Sequence, residues 1–104
     1  MAWIYLVIAG VLEVLWAYSM KLSEGFSRPG YSAITIVAMI ASFALLSLSM
    51  KSLPLGTAYT IWTGIGAVGA FLVGLFVLGE PASAVRILAA GLIVSGLVMM
   101  KMAS

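Results

Sequence analysis

The sequence predicts an all-α membrane protein with four transmembrane helices. Of its 104 residues, 64% are hydrophobic and only 8% are charged, a composition outside the range of soluble domains. Charged residues, Gly and Pro divide the chain into four apolar stretches, and about 20 apolar residues are enough to cross a bilayer as a helix. These stretches are continuously apolar, without the alternation of a membrane β-barrel. We expect one transmembrane domain over residues 1–104.

The four predicted spans lie between short polar connectors. They cover residues 2–20, 31–50, 55–78 and 84–102. A polar connector over residues 21–30 follows the first span, and Gly79-Glu80-Pro81 ends the third. The fourth span is the shortest, because its uncharged part covers only residues 87–100. It crosses the bilayer only if Arg86 and Lys101 extend to the two interfaces.

The residue types that are missing exclude several classes of function. The sequence has no Cys and no His, which removes thiolate metal sites, the commonest metal ligand and the commonest general base. The three acidic residues are scattered, and the net charge of +2 is too small for a nucleic-acid surface. We therefore expect no enzyme, no metal, no cofactor and no nucleic-acid partner.

Glu13 is the most informative residue, because it lies inside the first apolar span. Eleven uncharged residues precede it and seven follow it. An ionised acid at the membrane midplane costs roughly 2.5–3.5 kcal/mol on insertion scales. A carboxyl group at that depth keeps its proton until a cation replaces it. Glu13 therefore predicts a proton-coupled cation carrier.

Four neighbours share the helix face of Glu13. Helical spacing places Ala9, Gly10, Trp16 and Ala17 beside it. Gly10 and Ala17 leave space next to the carboxylate, and Trp16 offers an indole N–H and a flat aromatic face. Simple packing, or contact with lipid, is the alternative interpretation of Trp16.

The second and third spans supply further candidates for the same pocket. Ser42 lies near mid-depth on a stripe with Met39. Its hydroxyl binds the carboxylate, accepts a hydrogen bond from the ligand, or bonds back to its own helix. Tyr59, Trp62 and Gly66 share one face of the third span. The Tyr59 hydroxyl can hydrogen-bond to an acid, and the Trp62 ring can stack on a planar cation. Gly64 and Gly66 are candidate hinge residues, although glycines are common in membrane helices.

The distribution of basic residues predicts how the chain assembles. One side of the membrane carries Lys21, Arg28 and Arg86, and the other carries Lys51 and Lys101. Because the imbalance is small, the positive-inside rule allows insertion in both directions. An antiparallel homodimer would supply an inverted repeat and bring two copies of Glu13 together. A fixed orientation is the alternative.

The fourth span has the composition of a contact helix. Gly91 and Ser95 are four residues apart, and Ala89 and Gly96 are seven apart. Small residues at such spacings let helices approach closely within lipid. We expect these four residues to form the dimer contact.

The whole chain resembles the small multidrug resistance family. The resemblance lies in the four spans, the setting of Glu13, the connector at residues 21–28 and the stretch at residues 58–66. It implies a proton-coupled exporter of the inner membrane that works as an antiparallel dimer. The family's binding residues correspond to Glu13, Trp16, Ser42, Tyr59 and Trp62. The family's glycine pair in the fourth span appears here as Ala89 and Gly96.

The resemblance is to the guanidinium-exporting members of that family. Those members carry Trp at the position of Trp16, where drug exporters usually carry a small residue, and they are also similar at residues 62–67 and Lys101. A carboxylate binds planar guanidinium through two parallel hydrogen bonds, and aromatic faces add cation–π attraction.

The expected partners are guanidinium or substituted guanidinium, protons, a second copy of the chain and the lipid bilayer. The main alternative is a broad multidrug antiporter for quaternary ammonium or aromatic cations. A non-transporting membrane protein and a passive channel are further alternatives.

Overall fold

The computed structural model describes residues 1–103 and places four helices in that range. They are α1 (Ala2–Leu22), α2 (Pro29–Ser49), α3 (Leu55–Phe76) and α4 (Ala84–Met102). No strand occurs within the described range. Each helix is long and apolar enough to cross a membrane. The predicted all-α architecture with four apolar helices is confirmed.

The helix ends differ from the predicted spans by at most two residues. α1 continues through Lys21 to Leu22, and a cation in the last turn is favoured by the helix dipole. α2 begins two residues early, at Pro29, and ends at Ser49 rather than residue 50, since proline suits the first helical turn. α3 ends at Phe76, two residues early, because the chain turns at Gly79 (φ +69°).

α1 lies between α2 and α3, and α4 packs on α3. The buried core sits where the first three helices meet, in the half of the bundle that contains the start of α1. Its members are Leu6, Ala9, Leu46, Ala58, Ile61 and Trp62. Many other large apolar side chains are exposed, such as Val37 (68%) and Ile40 (64%). Such a surface is typical of a protein whose solvent is lipid.

α4 has few attachments to the other helices. None of its described residues is buried. Leu97 packs over Gly64 of α3, where a Cβ atom would overlap the leucine side chain. Near the end of α4, Lys101 Nζ lies 4.1 Å from the centre of the Trp3 ring at the start of α1. Most of the α4 surface is thus free of contacts within the chain.

Candidate functional site

Glu13 lies at the contact between α1 and α3. Its carboxyl group packs directly on Gly66, where a Cβ atom would overlap the carboxyl oxygen and carbon. The absence of a side chain at Gly66 therefore makes the room that the acid occupies. The Oε1 atom of Glu13 is buried and has no hydrogen-bond partner among the described residues.

Trp16 lies one turn further along α1, and it also has a buried polar atom without a hydrogen-bond partner. Its Nε1 atom is buried and has no hydrogen-bond acceptor in the described part of the chain. A buried polar atom without a partner costs about 1–3 kcal/mol, so such atoms are rare and usually have a functional reason. Glu13 and Trp16 together give one unsatisfied acceptor and one unsatisfied donor on neighbouring turns of one helix.

Ser42 connects three helices. Its Oγ donates a hydrogen bond to the Ala9 carbonyl on α1 (2.7 Å) and accepts one from Trp62 Nε1 on α3 (2.9 Å). All three atoms lie in the buried core. The sequence predicted a bond to its own helix, to the carboxylate or from the ligand; in this conformation the hydroxyl bonds to α1 and α3, and its role towards a ligand stays a prediction. The hydroxyl instead fixes α2 between α1 and α3 beside the site.

An aromatic series runs along one side of the bundle. Ring centres are 6.4 Å apart for Trp16 and Phe43, 5.6 Å for Phe43 and Trp62, and 5.5 Å for Trp62 and Tyr59. Phe43 was not among the site residues predicted from the sequence. An aromatic residue directly after Ser42 and four residues after Met39 was the available signal.

The predicted pocket residues are only partly brought together. Tyr59 is 53% exposed and lines a cavity of about 530 Å³ between α3 and α4, away from the Glu13–Gly66 contact. Met39 is half-buried on α2. Gly10 does not leave open space, because the Ile65 side chain fills it; a Cβ atom there would lie 2.6 Å from Ile65 Cγ2.

Ala17 does border open space, as the sequence predicted. It lines a cavity of about 340 Å³ between α1 and α3. Of these two small neighbours of Glu13, Ala17 therefore borders a cavity, whereas Gly10 is covered by Ile65.

The predicted hinge glycines are sites of close helix contact. Gly64 receives Leu97 from α4, and Gly66 receives Glu13 from α1. α3 is one uninterrupted helix across both positions. A bend at these glycines is not a feature of this conformation, and the hinge stays a prediction.

The small residues of α4 fall on two different faces. Ala89 and Gly96 line cavities against α3. All four residues are exposed, and Ser95 Oγ donates to the Gly91 carbonyl (2.8 Å). Helical spacing places Gly91 and Ser95 on the other side of α4 from Ala89 and Gly96, so the two pairs do not form one contact stripe.

The described residues contain no cluster of three or more His, Cys, Asp or Glu that could hold a metal ion. The side chains described above supply the Glu13 carboxyl group, the Ser42 hydroxyl and several aromatic rings. That set suits an organic cation with planar donors.

Comparisons with known proteins agree with this chemistry. The sequence model described as Small Multidrug Resistance protein matches residues 1–93. The chain is 61% identical over 104 residues to a protein of Yersinia pseudotuberculosis named "Guanidinium exporter", with all of both chains covered. It is 58% identical over the same length to one of that name from Salmonella typhimurium, and 55% identical to one from Citrobacter freundii. In both cases the match covers 100% of this chain and 99% of the relative.

Proposed function

The chain belongs to the small multidrug resistance protein family, and we propose that it exports guanidinium from the bacterial cell in exchange for protons. It is a multi-pass bacterial membrane protein with four apolar helices. The family assignment and the relatives named guanidinium exporters support a transport function. The proposal places the protein in the inner membrane, where a proton gradient is available.

The observation that carries the proposal is the pair of unsatisfied groups on α1. Glu13 Oε1 and Trp16 Nε1 are both buried and both without a partner in the part of the chain described. A buried carboxyl group needs a proton or a cation to remain there. Guanidinium meets a carboxylate with two parallel N–H donors, which fixes its orientation as well as its charge.

The proposed roles follow from the position of each side chain. Glu13 binds a proton or guanidinium. Trp16 donates its indole N–H to a Glu13 carboxylate. Trp62 provides an aromatic face, worth about 2 kcal/mol when the cation is desolvated. Ser42 positions Trp62 through the hydrogen bond that joins them. Tyr59 extends the aromatic series at its far end.

Coupling follows from competition at the carboxyl group. Guanidinium stabilises the ionised form of Glu13 and so displaces its proton. We propose that the protonated and the cation-loaded forms reorient across the membrane. The empty, ionised form does not, because an uncompensated charge would have to move within the apolar interior. Protons entering from outside then drive the cation out. We propose that α3 bends near Gly64 and Gly66 during this exchange.

The proposed exporter is an antiparallel homodimer. Two features support this assembly: the near balance of basic residues on the two sides of the membrane, and an α4 helix without buried residues. Gly91 and Ser95 lie on the exposed face of α4 and give a close contact for the second copy. Ala89 and Gly96 lie on the side of α4 that borders the cavities against α3. Two carboxyl groups would then share one pocket and titrate as a coupled pair.

Cysteine crosslinking tests the antiparallel arrangement. The chain has no native Cys, so introduced thiols report without background. Leu88→Cys and Val98→Cys change exposed residues of α4, each five residues from the midpoint of Gly91 and Ser95. An antiparallel pair predicts a disulfide between the two variants when they are mixed, and little within each alone. Strong Leu88→Cys homodimers with no mixed product would contradict the arrangement.

Proteoliposome flux tests the transport function. We expect an outward proton gradient to drive guanidinium uptake, and guanidinium to drive proton movement in return. Urea is the control, since it has the same planar shape without the charge. Quaternary ammonium transport as fast as that of guanidinium would favour the broad multidrug antiporter. Flux that ignores the proton gradient would indicate a passive channel and defeat the proposal.

A further inference from the structure

A cavity with charged residues at its mouth opens at the end of the bundle where α1 and α3 finish. Its volume is about 340 Å³, and it lies between α1, the end of α3 and the first turn of α4. Its polar mouth and aromatic wall are formed by Tyr18, Lys21, Phe71, Gly74, Glu80 and Arg86. None of these residues belongs to the site described above.

Residues close in sequence to Glu13 and Gly66 line the inner end of this cavity. Ala17 lines it one helical turn beyond Glu13, and Ala67 lines it directly after Gly66. Glu13 and Gly66 pack on each other, and they precede Ala17 and Ala67 by four residues and one residue. The inner part of the cavity is lined by small side chains, which include Ala17, Ala67 and Ala70.

The mouth already holds a guanidinium group, which belongs to the protein itself. Arg86 Nη1 donates to the Pro81 carbonyl (2.6 Å), and Arg86 Nη2 lies 3.8 Å from Glu80 Oε1. The Arg86 guanidinium carbon sits 5.2 Å from the centre of the Phe71 ring. A carboxylate, a carbonyl and an aromatic face thus surround a planar cation.

Glu80 is held in place independently of Arg86. Its carboxyl group packs on Gly74, where a Cβ atom would overlap Oε1. Its backbone N–H donates to the Gly74 carbonyl (2.9 Å). Glu80 therefore keeps its position when Arg86 moves, and it remains available to another cation.

We propose that this cavity is the route by which guanidinium reaches Glu13 from this end of the bundle, and that Glu80 is the first group to bind it. The arriving guanidinium takes the place of the Arg86 side chain on Glu80, Pro81 and Phe71. This inference rests on the proposed guanidinium export and adds a peripheral binding site to it.

The geometry makes the exchange easy to reverse. The Arg86 and Glu80 side chains are 43% and 41% exposed, and their charged atoms are 3.8 Å apart. Exposed ion pairs of this kind contribute little stability. Lys21 lines the same cavity and repels a cation held there. Guanidinium therefore binds weakly at the mouth and moves on towards Glu13.

The binding experiment uses Glu13→Gln protein in detergent or lipid discs, so that the main site carries no charge. Guanidinium chloride is added while the Gly74 amide and the Arg86 Nε–H are followed by NMR, with sodium chloride as the matched salt control. We expect saturable shifts with guanidinium only, and their loss in Glu13→Gln/Glu80→Gln. Arg86→Gln in the Glu13→Gln background should strengthen binding by about two- to fivefold, because the competing ion pair is removed.

Equal shifts with both salts, or unchanged shifts without the Glu80 carboxylate, would overturn the inference. A transport readout separates this failure from failure of the export function. In otherwise native protein, Glu80→Gln should raise the guanidinium KM and leave the maximal rate nearly unchanged. Normal guanidinium transport with an unchanged KM would refute the peripheral site and leave the exporter intact. Absence of guanidinium transport in the unaltered protein would refute the exporter itself.

Discussion

Glu13→Gln is expected to reduce proton-coupled guanidinium transport in proteoliposomes to the background of empty vesicles. Gln is nearly the same size as Glu, so its amide still fits against Gly66. It has no group that ionises near neutral pH and no charge to balance the cation. The substitution therefore removes the carboxylate for which the proton and guanidinium compete, while it preserves the packing. The measurement is guanidinium uptake driven by a proton gradient.

Glu24→Gln is the matched control for this experiment. Glu24 lies in the exposed first connector and pairs with Arg28 at 3.4 Å. An exposed pair of this kind contributes at most about 1 kcal/mol to stability, so transport should be close to that of the unaltered protein. Binding supplies a second readout. Guanidinium affinity should weaken as pH falls in the unaltered protein, because protons compete for Glu13. Proton-driven uptake that survives Glu13→Gln would defeat the mechanism.

The helices were predictable because the residue types near each boundary determine where the helix begins and ends. Charged connectors, prolines and Gly79 separate the apolar spans, and each end lies within two residues of its predicted position. The remaining errors come from terminal hydrogen bonds. The amides of Leu78 and Glu80 turn back to carbonyls of α3, which closes that helix early. Polarity along the sequence does not report such bonds.

The acid at the centre of the site was predictable for the same local reason. One carboxylate inside an apolar span is expensive, and that cost is visible in the sequence. Gly66, the residue on which Glu13 packs, was only partly predicted. Helical periodicity placed Gly66 on the same face as Trp62, and the structure gives Gly66 the specific task of receiving Glu13.

Contacts between helices were not predictable from periodicity. The spacing of residues around Glu13 indicated space at Gly10, but the position of α3 decides that Ile65 fills it. In the same way, Ser42 bonds to Ala9 and Trp62 because three helices meet there. The rotation and register of neighbouring helices settle these contacts, and neither is a property of a single span.

Gly66→Ala is expected to reduce guanidinium transport strongly and to destabilise the protein, although alanine favours a helix over glycine. Alanine gains up to about 1 kcal/mol of helix propensity over glycine. At Gly66 its Cβ would overlap the carboxyl group of Glu13. Forcing an extra methyl group into a packed contact typically costs about 1–3 kcal/mol. The clash outweighs the propensity, so α1 and α3 separate or the acid leaves its position.

Gly56→Ala is the matched control, because Gly56 lies on the same helix and has nothing within 4 Å of its Cβ position. There only the propensity gain applies, so stability should be equal or higher and transport unchanged. The double variant Gly66→Ala/Glu13→Asp shortens the acid by one methylene and gives the new methyl group room. We expect it to recover part of the stability lost in Gly66→Ala, as measured by thermal unfolding in detergent. If Gly66→Ala were as stable and active as Gly56→Ala, the packing of Glu13 on Gly66 would not be what positions the carboxyl group.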